Sequence, residues 1–296
     1  FTSPVSGTVS AVNRGEKRRI LNVVVAADAK QSYEEFEIPD LAKAGREDVV
    51  ALLLKSGLWA MIIQRPYGII ANPSDKPKAI FVSAFDSAPL APDYNYILGA
   101  EKNNIQKGLA VLGKLTDGKV HLSVRANAEG DAAFYKGVEL HTFAGKHPVG
   151  NVGVQIHHID PINKGERVWT VNIQDVAIIG RFFNEGKVDM SKTIAVVGSE
   201  VMHAQYYRII NGAPIASILK GNIQKQGEGQ SVRIISGNVL SGVKSDIDGY
   251  INFYANMLSV IPEGNHYETL GWLMPRFNKF SVSRAYFSWL CPKKVY

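Results

Sequence analysis

The stretch KAIFVSAF, Lys78 to Phe85, is a continuous apolar run of strand length that follows prolines at 73 and 77. Such a run fits a strand buried on both faces. A helix is expected next, with Ile97, Leu98, Ile105, Leu109 and Leu112 at helical spacing. GKVHLSVRA (118–126) then alternates, so that Val120, Leu122 and Val124 share one face. Strand, helix, strand in this order predicts a βαβ unit and a parallel sheet covered by helices.

Working outward, EDVVALLLKSG (47–57) predicts a helix from Val49, Val50, Leu53 and Leu54, with Lys55 in its last turn and Gly57 as its cap. The region 36–188 is therefore expected to be a Rossmann-like α/β domain. SPVSGTVSAVNRGEKRRILNVVV (3–25) alternates on both sides of an Asn-Arg-Gly turn, a hairpin signal. It predicts a small β-domain over 1–35 whose first half is missing. Short strand-like runs at TIAVVGS, YYRIING and SVRIISGNVLSG predict a compact β-rich domain over 189–242. Residues 243–296 form a C-terminal region of mixed texture, and the opening on Phe1 reads as a fragment of a longer polypeptide.

Composition narrows the function. The longest apolar stretch, Val49 to Ile63, is interrupted by Lys55 and Ser56. No transmembrane segment is expected, because a span takes about 20 apolar residues. A single cysteine, Cys291, excludes an internal disulfide and an iron–sulfur cluster held by several thiolates of this chain, and favours a reducing compartment. The net charge of +6 comes from 33 basic residues scattered among 27 acidic ones, so nucleic acid is not an expected partner.

GNVGVQIHHIDP (150–161) is the densest candidate site. Read as a strand over 151–159, it points His157 and His158 in opposite directions. His158 and Asp160 could then share an ion only with help from His141 or His147. As a phosphate cradle, Gly150-x-x-Gly153 should open a helix, whereas here the glycines precede a strand-like run. A polar strand end beside a pocket or interface is the remaining reading, with His157 as its residue of interest. No Gly-x-Ser-x-Gly elbow or HExxH pair is present, and Cys291 has no base beside it, so no catalytic residue and no metal are assigned.

Several stretches together resemble one family. They are FTSPVSGTVSAVNRGEKR (1–18), SGLW (56–59) with QRP (64–66), AIFVSAFDSAPLAPD (79–93), GKLTDGKVHL (113–122), HPVGNVGVQIHHIDP (147–161), VWTVNIQDVAIIGR (168–181), and RIISGNVLSG, SVIPEG and GWLMP further on. They resemble the A subunit of the sodium-translocating NADH:quinone oxidoreductase, the bacterial respiratory sodium pump. The resemblance implies a peripheral protein on the cytoplasmic face of the inner membrane, within a complex that couples NADH oxidation and quinone reduction to Na+ export. Membrane subunits would be its partners and would carry the sodium selectivity.

The same resemblance implies a domain series like that of the NADH-binding flavoprotein of respiratory complex I. That series is a barrel-sandwich (lipoyl-like) domain, a Rossmann-like domain, an SLBB-type β-grasp domain and a helical end. Those relatives hold flavin on a glycine-rich loop, where backbone amides approach a phosphate. Here the corresponding stretch is SGLWAMIIQRPYGIIANP (56–73), in which Trp59, Met61, Ile62 and Ile63 fill that space. No FMN and no iron–sulfur cluster are therefore expected, and the leading reading is a cofactor-free docking subunit. The alternative is a quinone site built from Trp59, Arg65, Pro66, Tyr67 and His157, since a flat ring wants aromatic walls and its carbonyls want donors. An independent flavin-dependent NADH oxidoreductase would need the missing glycine loop.

Overall fold

The computed structural model describes residues 2–126, 128–224, 231–265, 268–277, 279 and 283–291. A hairpin comes first, with β1 (Gly7–Arg14) antiparallel to β2 (Ile20–Ala27). Helix α1 (Arg46–Lys55) follows, its start fixed by the Asp48 carboxylate accepting from the Gly45 amide at 2.9 Å. It stops at Gly57, whose φ of +76° is the left-handed cap read from the sequence.

The main sheet has six strands. They are β3 (Ile63–Arg65), β4 (Ile69–Ile70), β5 (Ala79–Ser83), β6 (Lys119–Arg125), β7 (Glu139–Phe143) and β8 (Val168–Asn172). Their order is β4-β3-β8-β5-β6-β7, in which β8, β5, β6 and β7 are parallel and β3 is antiparallel. Between the strands lie α2 (Tyr94–Leu98), α3 (Lys102–Gly113), the short α4 (Glu129–Ala132) and α5 (Val152–Ile159). Strand β5 is buried from Ala79 to Val82, which explains its unbroken apolar run. Val120, Leu122 and Val124 enter the main core as the alternation requires, but His121 and Ser123 on the other face are buried too.

Helix α6 (Ile173–Glu185) is buried from Ile173 to Phe183, because it lies between the main sheet and the next one. It meets α3 through glycines: a Cβ on Gly180 would sit 1.7 Å from the Asn104 carbonyl oxygen, and one on Gly108 would sit 2.1 Å from that of Val176. The two backbones touch because neither helix carries a side chain at these points.

A second sheet combines β9 (Ser191–Val197), β10 (Gln205–Ile210), β11 (Val232–Ser236), β12 (Val243–Ser245) and β13 (Met257–Pro262) in the order β10-β9-β13-β11-β12, with α7 (Ile215–Leu219) packed on it. The parallel pair β9–β13 sits inside antiparallel neighbours. The expected division at 242 falls within this sheet, since β13 is its central strand. Beyond β13 the described residues form only single 3-10 turns, at Gly271–Leu273 and Phe287–Leu290, so the helical end is not among them.

The two sheets are held together by polar contacts. The Arg181 guanidinium donates to Asp189 at 2.6 Å, to Glu101 at 3.1 Å and to the Ser191 hydroxyl at 2.9 Å. Gln174 pairs with the backbone of Thr193, and the Tyr254 hydroxyl donates to the Ala60 carbonyl at 2.8 Å. Within this seam burial raises the Asp175 carboxyl to about 6 and lowers the Lys192 ammonium to about 8.

The sequence reading of 151–159 as a strand is corrected, since residues 152–159 are helix α5. Val152, Val154 and Ile156 satisfy a period of two, but Val152, Gln155, Ile156 and Ile159 satisfy the helical spacing i, i+3, i+4, i+7. Gln155 hid the second pattern because it is polar. It is nonetheless fully buried, its amide donating to the Ser83 hydroxyl at 2.9 Å.

Candidate functional site

In an open parallel sheet, ligands settle outside the carboxyl ends of the strands, where the strand order reverses direction. Here the chain runs outward from β5 through β6 to β7 and then returns to place β8 on the other side of β5. The carboxyl edge at that point holds a cleft of about 380 Å³. Residues 84–95, the connection leaving β5, line most of it, and Arg125 and Ala128 close it from the end of β6. This volume lies within the range of small-molecule sites, about 300–1,000 Å³.

Each wall has a local cause. The Asp86 carboxylate accepts from the Ala88 amide at 2.8 Å and tightens the turn, while Asp93 caps α2 by accepting from the Asn95 amide at 2.9 Å. Tyr94 is buried, which raises its hydroxyl above the ordinary tyrosine range, and Asn256, just before β13, donates to it at 3.1 Å. The loop before α5 packs against the same connection: the Gly150 amide donates to the Ser87 hydroxyl at 2.8 Å, and a Cβ on Gly150 would lie 2.4 Å from the Ser87 nitrogen. Two of the quoted stretches, 79–93 and 147–161, are thus one structural unit. Ser87 also lies 3.1 Å from His147 Nδ1, but no carboxylate orients His147 among the described residues, so this pair lacks the third member of a triad. Among the residues lining the cleft, Arg125 is the cation and Asp86 and Asp93 are the carboxylates.

The residues expected to hold quinone lie elsewhere. Trp59 is buried, and its indole N–H donates to the Ala71 carbonyl at 2.7 Å while its ring meets Trp169 edge to face. Arg65 faces Val168, the first residue of β8, so the Arg65-Pro66-Tyr67 turn lies at the amino edge of the parallel strands, opposite the cleft. Tyr67 is 68% exposed. His157 and His158 are exposed on the last turn of α5. None of the five lines the cleft. The connection 58–62, where flavoprotein relatives would keep bare glycine, buries Leu58, Trp59, Ala60, Met61 and Ile62 instead. That arrangement does not fit a flavin phosphate, which needs open backbone amides.

The ion group weighed from the sequence, His158 and Asp160 with His141 or His147, to which no metal was assigned, is not found among the described residues. Asp160 pairs with Lys78 at 2.6 Å, and His147 is on Ser87. His141 instead joins two residues that sequence reasoning passed over. His121 Nδ1 lies 2.9 Å from His141 Nε2 and 3.6 Å from Glu139 Oε2. Burial lowers both imidazoles below their ordinary range, and Lys119 holds the Glu139 carboxyl down by hydrogen bonding to it. The signal available in the sequence was Glu-x-His in a strand, which puts both side chains on one face. The register that adds His121 was not readable.

Three family models match the chain in series. They are the NqrA N-terminal barrel-sandwich hybrid domain over residues 1–28, the NqrA second alpha/beta domain over 44–188 and the NQRA C-terminal domain over 193–246. Among curated proteins, the A subunit of the Na(+)-translocating NADH-quinone reductase of Hahella chejuensis is 37% identical over 300 residues, covering 100% of this chain and 66% of its own length. The protein of the same name from Neisseria meningitidis serogroup A is 36% identical, covering 96% of this chain and 64% of its own length. That from Yersinia pestis bv. Antiqua is 36% identical, covering 100% and 66%. The chain therefore spans 64–66% of the length of these relatives. Among solved structures, an NAD+-reducing [NiFe]-hydrogenase in the air-oxidized state aligns with a TM-score of 0.50 at 14% identity, over 76% of this chain and 48% of that one. The H2-reduced state gives a TM-score of 0.51 at 12% identity, over 75% and 47%. This likeness is one of fold.

Proposed function

Since the chain belongs to the family of the A subunit of the Na(+)-translocating NADH-quinone reductase, we propose that it serves that complex in a docking role. In this reading it holds no flavin or iron–sulfur cluster and sits peripherally on the cytoplasmic face of the membrane. NADH oxidation, quinone reduction and Na+ export are properties of the assembly, and this chain organises it. We read the six-stranded unit as Rossmann-like and the five-stranded unit as an SLBB-type β-grasp.

The observation that carries the docking role is the apolar surface of residues 270–277 and 287–290. Leu270, Trp272, Leu273, Met274, Phe277, Phe287, Trp289 and Leu290 are each at least 49% exposed. Exposed apolar surface concentrated in one short segment marks an interaction site. No helix among the described residues is long and apolar enough to cross a membrane, so attachment through a protein partner is the economical use of that surface. The filled connection 58–62 supports the absence of flavin.

One observation favours the quinone alternative: Arg65 Nε is enclosed and makes no hydrogen bond among the described residues. A buried donor of this kind suits a ligand carbonyl. A visible spectrum of the purified protein, followed by titration with a ubiquinone analogue under tryptophan fluorescence, separates the readings. The docking reading expects a colourless protein with no saturable change. A saturable change lost in both Arg65→Ala and Tyr67→Ala would replace it with the quinone site, and a stoichiometric flavin band would overturn both.

A further inference from the structure

Strands β6 and β7 place three metal-ligating side chains on one face of the main sheet. His121 pairs in register with Glu139, and His141 follows two residues later on the same face of β7. One ligand atom from each of His121, Glu139 and His141 lies within 4.8 Å of the others. Phe81 stacks on the His121 ring with centroids 4.7 Å apart, which fixes that ring's plane. Lys119 binds Glu139 Oε1 and leaves Oε2 turned toward His121. His121 is 5% exposed, while Glu139 and His141 are half-buried, so the group is walled on one side and reachable from the other.

We propose that His121, Glu139 and His141 form a binding site for one divalent transition-metal ion of the zinc type. Two imidazole nitrogens and one carboxylate oxygen are the donor set of a three-ligand zinc centre with an open fourth position. Imidazole donors select such ions over magnesium or calcium. A tetrahedral ion with bonds of about 2.0–2.1 Å holds two nitrogens roughly 3.3 Å apart. The present 2.9 Å separation therefore needs to open by only a few tenths of an ångström. Binding requires both facing nitrogens to be unprotonated, so each ring carries its proton on its other nitrogen. The ion would tie the edge strand β7 to β6, and its remaining position would be open to solvent or to an anionic group.

The test is zinc(II) binding to the purified, tag-free chain, measured by competition with a chromophoric chelator, with cobalt(II) d–d absorption reporting the geometry. The proposal expects one zinc per chain and a tetrahedral cobalt spectrum. It also expects affinity to fall at least roughly tenfold in His141→Ala and in Glu139→Gln, since even outer-shell changes weaken metal sites tenfold or more. Far-UV circular dichroism of the metal-free variants checks that they fold, and the near-isosteric Glu139→Gln serves where His141→Ala does not. The variant His157→Ala/His158→Ala should keep the site. Absence of binding, binding unchanged in the first two variants, or binding lost with His157 and His158 would overturn it.

Discussion

Gly180→Val is expected to prevent accumulation of the folded chain, while Gly113→Ala, on the partner helix, is expected to leave it intact or slightly more stable. The contrast follows from what each new atom meets. A Cβ on Gly180 would lie 1.7 Å from the Asn104 carbonyl oxygen and 2.8 Å from the Gly108 nitrogen, both backbone atoms of α3 that no side-chain rotation can move away. Helices α3 and α6 would have to separate, and α6 is the buried element that joins the main sheet to the second. Overpacking a core costs about 1–3 kcal/mol when neighbours can shift. Here they are two helix backbones, so the loss should exceed about 3 kcal/mol, a large part of a typical domain's stability. A Cβ on Gly113 meets nothing within 4 Å. Alanine is favoured there by roughly 0.5–1 kcal/mol on helix propensity. Soluble yield and the thermal midpoint by circular dichroism decide it: a Gly180→Val protein that melts near the wild type would show that the helices are not in backbone contact.

Arg181→Ala should lower stability by about 3–5 kcal/mol, the usual effect of removing one partner from a buried ion group. Arg181 is 5% exposed and is shared between Glu101 and Asp189. The substitution leaves two carboxylates at the seam between the sheets, with the exposed Arg208 as the remaining cation close to both among the described residues. By comparison Lys76→Ala removes the Lys76–Asp117 pair, whose side chains are 61% and 80% exposed, and should change stability by less than about 1 kcal/mol. Urea unfolding of the three proteins measures the difference. Equal midpoints for Arg181→Ala and Lys76→Ala would mean that the Arg181 group contributes no more than a surface pair.

The parts of the fold legible in the sequence were those where one periodicity had no competitor. The apolar run at 79–82, the alternation at Val120, Leu122 and Val124, and the cap at Gly57 each had a single physical reading, and the structure bears them out. Helix α5 failed because Val152 and Ile156 fit a period of two as well as the helical spacing, and Gln155, which completes the helical set, is a buried polar group whose side-chain partner Ser83 is distant in sequence. Gly108 and Gly180 would pass in the sequence for weak helix formers, since only the tertiary contact between their helices gives them a purpose.

The site was less legible than the fold, for the same reason. Trp59 was noticed as bulky, but nothing local shows that its N–H is taken by Ala71 and its ring by Trp169. The grouping of His121 with Glu139 and His141 depends on strand register, which a single sequence does not encode locally. The cleft at residues 84–95 was present as a quoted stretch, yet its meaning depends on β8 returning beside β5.

The measurement closest to the central claim is co-fractionation with the membrane, comparing the wild-type protein with Trp272→Arg/Trp289→Arg. These indoles are 70% and 54% exposed, so a folded chain should tolerate the changes. The docking account predicts that the wild type sediments with the other subunits and that the doubly substituted protein, folded by circular dichroism, moves to the supernatant. A folded variant that still sediments in full would contradict it.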